Sequence, residues 1–81
     1  MFISESIATR TIRDFISGEN HFCDADHVTS KILNVFEELE LGLSLGHTHG
    51  ERILAWRSVF KLFLQGHDME ALAEAEKLCT A

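Results

Sequence analysis

The chain has 81 residues, 46% of them hydrophobic, and 13 acidic against 7 basic side chains give a formal net charge of −6. A chain this short builds one core and buries only about 60–65% of the surface it exposes when unfolded, so a second chain is a natural source of further burial. The acidic excess argues against direct nucleic-acid binding, which draws on cations that displace phosphate counterions, and no stretch approaches the ~20 apolar residues of a membrane span.

Proline is absent, and the apolar residues recur at helical rather than alternating spacing. The expectation is an all-α fold: one domain over residues 1–81, a small four-helix bundle of three long helices and one short one. The helices fall at about 4–17, 25–41, 49–65 and 68–79.

In the first helix Ile7, Ala8, Ile12, Phe15 and Ile16 share a face, with Thr9, Arg10, Arg13 and Ser17 opposite. Ser4 is placed to cap its start and Gly18 to stop it. The opening stretch "MFISESIATRTIRDF" contains Glu5 and Asp14 and lacks the apolar run of a secretion signal. Together with two cysteines, Cys23 and Cys79, read as free thiols, this points to the cytoplasm.

The second helix opens with Asp24 or Asp26 as cap. Val28, Ile32, Val35, Phe36, Leu39 and Leu43 form its inner stripe, while Lys31, Asn34, Glu37 and Glu38 face away. Gly42 and Gly46 bracket its end.

The third helix begins at "THGE", which has the form of a capping box: Thr48 accepts from the amide of Glu51, and Glu51 reaches back to that of Thr48. Ile53, Trp56, Val59, Phe60, Phe63 and Leu64 make a broad apolar face. Leu54 and Leu62 lie outside it, so the polar strip shrinks to Arg57, Ser58 and Lys61. A helix apolar around most of its circumference packs on two sides. Trp56, Arg57, Phe60 and Phe63 are the candidate dimer contact, because Trp, Phe and Arg favour interface centres.

Gly66 ends that helix and Asp68 caps the fourth. There Met69, Leu72, Ala73 and Cys79 form a weak stripe, with Glu70, Glu74 and Glu76 exposed.

The residues with chemical potential sit at the joints of this frame. "HFCDADH" supplies His21, Cys23 and His27 beside Asp24 and Asp26, and "GHTHGE" supplies His47 and His49. A helix of ~17 residues holds the two groups about 25 Å apart. Each alone falls short of a zinc set, which pairs closely spaced Cys or His knuckles from two segments. They read as caps and solvated loop residues, with no metal and no cofactor. Cys23 beside histidine could form a thiolate pair, but a loop cysteine in so small a bundle lacks the walls of a water-excluding pocket. There is no phosphate-cradling glycine loop, no G-x-S-x-G and no H-E-x-x-H. As a DNA-recognition helix, "HTHGERILAW" offers only Arg52 among apolar residues. The expectation is therefore not an enzyme but an acidic module that binds another protein through a basic surface, in the manner of an inhibitor of a nuclease, a toxin or a nucleic-acid-handling complex. Its contact residues would be Glu37, Glu38 and Glu40, with Glu70, Glu74 and Glu76 as a second group. The alternative is a structural or regulatory homodimer that meets through the third helix, with a metal-stabilised module ranked behind both.

Overall fold

The computed structural model describes residues 3–19 and 22–80. It is all-α: α1 spans Ile3–Ser17, α2 Ala25–Ser44, α3 Gly50–Leu64 and α4 Asp68–Thr80. The fourth helix is nearly as long as the first and third, 13 residues against 15.

The helices form a closed ring in which α1 packs on α2 and α4, and α3 packs on α2 and α4. Side-chain contacts fix the directions. Glu5 meets Arg52 near the starts of α1 and α3, and Phe15 meets Phe63 near their ends, so the two run parallel across the diagonal. Thr9 meets Cys79 and Arg13 meets Glu76, which sets α4 antiparallel to α1. The arrangement is an up-down-up-down bundle, as its short connections dictate.

The core is Ala8 and Ile12 of α1, Val28, Ile32, Val35 and Leu39 of α2, Ile53, Trp56, Val59 and Phe63 of α3, and Ala71 and Ala75 of α4. Spacings of four and three along α2 hold its stripe to one side. Edge-to-face ring pairs, Phe15 with Phe63 at 5.3 Å and Phe36 with Phe60 at 6.0 Å, flank the centre.

Asp24 is the N-cap of α2, its Oδ1 accepting from the amide of His27 at 2.8 Å. α2 runs to Ser44, past the expected end at 41, because Gly42 is buried inside the helix and the turn is made by Gly46 at φ +76. The amides of Gly46 and His47 there bond back to Leu43 and Gly42, which closes the last turn in a Schellman motif. Gly66, at φ +83, ends α3 in the same way.

Several local expectations are corrected. The N-cap of α3 is His49, with no side-chain cap bond, so Thr48 and Glu51 do not form a capping box. The helix starts one residue later than the box requires, and Glu51 falls at its second position rather than its third. Ser4 is not a cap either: it lies within α1, its hydroxyl buried and without a hydrogen-bond partner among the described residues. On α1, Thr9 is buried and Ile7 is exposed, the reverse of their expected sides. On α4 the inner residues are Ala71 and Ala75, while Met69 and Ala73 face solvent. Leu43 and Leu64, expected inside, are exposed.

Candidate functional site

Three places gather polar or reactive side chains. The first is inside the bundle. Glu5 is fully buried; its Oε2 accepts from Trp56 Nε1 at 2.9 Å and from Arg52 Nε at 2.7 Å, and forms an ion pair with Arg52 Nη2 at 2.6 Å. Nη2 of Arg52 also donates to the carbonyl of Leu78 at 2.7 Å. One carboxylate thus ties α1 to α3, and the guanidinium ties both to the end of α4. A buried charge survives only when paired and hydrogen-bonded, and this one is both. The contact locks three helices together. The shallow hollow beside it, about 270 Å³ and lined by Thr48, His49, Glu51, Arg52, Ala55 and Leu78, opens to solvent.

The second place is the pair of thiols, both free and both leaning on α1. Cys23 donates to the carbonyl of Thr11 at 3.3 Å. Cys79 lies 3.2 Å from the hydroxyl of Thr9, which itself donates to the carbonyl of Glu5 at 2.8 Å. Burial, then the charges of Asp14 and Asp24, push the Cys23 thiol above its ordinary value. Both causes oppose the thiolate, so the site works against a nucleophile rather than for one. His21 lies outside the described residues. Among the described residues no three His, Cys, Asp or Glu side chains stand together as a metal-binding group. His27, His47 and His49 are exposed at helix starts and in the α2–α3 connection.

The third place is the outer surface. Glu37 and Glu40 stand exposed on α2 and Glu38 is half-buried beside them. None has an ion pair within 4 Å among the described residues. The second acidic group differs: Glu70 faces His67 at 4.0 Å, Glu74 faces Lys77 at 3.5 Å and Glu76 faces Arg13 at 3.8 Å. Its charge is partly answered within the chain. Of the expected dimer contact, Trp56 and Phe63 are buried in the chain's own core, and Phe60 is half-buried against Phe36. Arg57 alone of the four is exposed. The apolar surface of α3 that does face outward is Leu54 and Leu64 instead.

No known protein family, no curated protein and no solved structure matches the chain.

The Glu5–Arg52–Trp56 contact is absent from the expectations above, yet it had a trace in the sequence. Glu5 precedes Ala8 by three and Ile12 by seven, which puts a carboxylate on the apolar stripe of α1. Arg52 precedes Trp56 by four, on the edge of the apolar stripe of α3. A charge at a core position requires a buried partner, and an arginine on another helix is the residue best built for that role.

Proposed function

We propose that the chain is a non-catalytic docking module that presents the outer ridge of α2 to a partner protein. The observation that carries this reading is the set Glu37, Glu38 and Glu40, without countercharges among the described residues, flanked on the same helix by the exposed Leu33, Leu41 and Leu43. Carboxylates alone would be a solvated face. Carboxylates interleaved with leucines exposed to water make a surface that gains from a partner with cations around an apolar seat. The formal charge of −6 favours the same partner over distance, by steering encounter with a cationic protein. An inhibitor or antagonist acting in the cytoplasm on a nuclease, toxin or nucleic-acid-handling complex belongs to this class where the target has a cationic groove that an acidic surface can block. Among the described residues no helix is long and apolar enough to cross a membrane.

The test is capture from host extract on the immobilised full chain, comparing wild type with E37K/E38K/E40K. The expected result is a protein held by the wild type, released by added salt and not held by the variant, with circular dichroism unchanged. Capture indifferent to both salt and charge reversal would overturn the reading.

A further inference from the structure

The docking ridge of α2 calls for a partner surface that is basic and apolar, and one such surface belongs to this chain. On α3 the residues turned away from the core toward the α2 side are Leu54, Arg57, Lys61 and Leu64, all exposed. Leu54 and Leu64 are 61% and 63% exposed, and on α2 Leu33 and Leu43 are 45% and 46% exposed. Arg57 and Lys61 have no ion pair within 4 Å among the described residues, and neither do Glu37 and Glu40. The two ridges lie side by side because α2 packs on α3.

Their register is set by the ring pair of Phe36 and Phe60. Counting outward from it along antiparallel helices, Leu33 lies level with Leu64, Glu37 with Lys61, Glu40 with Arg57 and Leu43 with Leu54. Each pair matches to within one or two residues, about 1.5–3 Å of rise. The face is therefore leucine at both ends and charged in the middle, acidic along one helix and basic along the other.

We propose that this face binds a second copy of the chain about a two-fold axis parallel to the helices. This rests on the docking reading and names its partner. A two-fold in that direction sets α2 of each copy over α3 of the other without changing height. Leucines then meet leucines at both ends, and each carboxylate meets a cation in between, twice over, as an isologous contact requires. A two-fold across the helices would instead lay α2 on α2, with carboxylates facing carboxylates, and α3 on α3, with cations facing cations. Charge selects the first arrangement and rejects the second. The leucine-to-leucine length is about 15 Å of helix. A patch that short and two helices wide lies at the small end of specific interfaces, so association is expected at micromolar concentration.

Sedimentation equilibrium of the full chain from about 1 to 100 μM tests this directly, with the range chosen to bracket a small interface. The wild type is expected to double in mass across it. E37K/E40K makes the face wholly basic and R57E/K61E makes it wholly acidic, so each alone is expected to associate at least tenfold more weakly. An equimolar mixture of the two is expected to recover a dimer. Both variants keep a net negative charge, since each substitution moves the −6 by two units, so bulk attraction cannot produce the recovery. Circular dichroism of each variant checks that the bundle is intact. A wild type that stays monomeric overturns the proposal, as do variants that dimerise like the wild type or a mixture that fails to pair. A monomeric wild type leaves the α2 ridge free, so salt-sensitive capture of a different protein would still stand; loss of capture with dimerisation intact would separate the two readings the other way.

Discussion

Glu5 and Glu40 carry the same carboxylate, yet Glu5 is buried in the bundle while Glu40 stands on its surface. The leucines invert the pattern: Leu39 is fully buried and Leu54, on the neighbouring helix, is mostly exposed. The difference between the two regions lies in their partners rather than in the polarity of their side chains. Around Glu5 the donors of Arg52 and Trp56 converge on a single oxygen, and the guanidinium finds a further acceptor at Leu78. Around Glu40 no cation lies within 4 Å among the described residues, although Arg57 stands on the adjacent helix. The first region is complete within one chain. The second has the composition of half of a contact.

The most severe way to break the comparison is Glu5→Ala. It leaves the buried indole N–H without its acceptor and the part-exposed Arg52 guanidinium with only the carbonyl of Leu78. Removing one partner of a buried pair costs about 3–5 kcal/mol, and part-exposure of Arg52 puts this case at the lower end. For a domain of this size that is a large share of total stability. Urea unfolding followed by circular dichroism measures it. Glu5→Gln keeps an acceptor oxygen and should lose distinctly less. Equal losses in the two variants would mean that charge, and not hydrogen bonding, holds the three helices.

Glu5 also marks where the sequence was legible and where it was not. The number of helices and the inner stripe of α2 follow from spacing alone, because Val28, Ile32, Val35 and Leu39 are strongly apolar and repeat every three or four residues. On α4 the same logic misleads. Met69 offers more apolar surface than Ala71, yet a closely packed interface takes the small residues, and Ala71 and Ala75 are fully buried. At α3 the letters of a capping box are present, but the helix begins at Gly50, one position too late for the two side chains to reach each other's amides. On the surface, the acidic residues of α2 and α4 look alike in sequence. Glu74 has Lys77 three residues on in its own helix, but only the fold brings Arg13 of α1 to Glu76, and among the described residues Glu37, Glu38 and Glu40 have no such cation. Pairing between helices is a property of register and rotation, and neither is written in one helix alone.

A finer probe of the inner region is Trp56→Phe. The ring remains apolar and most of the buried area is kept, but the donor to Glu5 Oε2 is lost and a small void opens. Glu5 keeps its hydrogen bond from Arg52 Nε and its ion pair with Nη2, so the carboxylate is not stranded. The expected cost is about 2 kcal/mol, a hydrogen bond to a charged group plus the missing ring volume. Measured in the Glu5→Ala background, the same substitution should cost less, because the acceptor is already gone; the difference between the two is the coupling. Full additivity would show that the indole N–H contributes nothing through Glu5.

The smallest effect is expected on the outer face. Leu54→Ala should change the stability of the single chain by no more than about 0.5 kcal/mol, because an exposed leucine gains little from folding and alanine is the better helix former. The measurement belongs in the R57E/K61E background, where charge repulsion keeps two copies apart and unfolding reports one chain. A loss of 2 kcal/mol or more there would show that Leu54 packs within its own bundle, and the face would lose one of its two apolar ends. The opposite pairing of results, a silent change in the single chain and a weakened association in the wild-type background, separates folding from docking at one residue. The leucine then belongs to the contact and not to the core, whereas the carboxylate at position 5 belongs to the core and not to the surface.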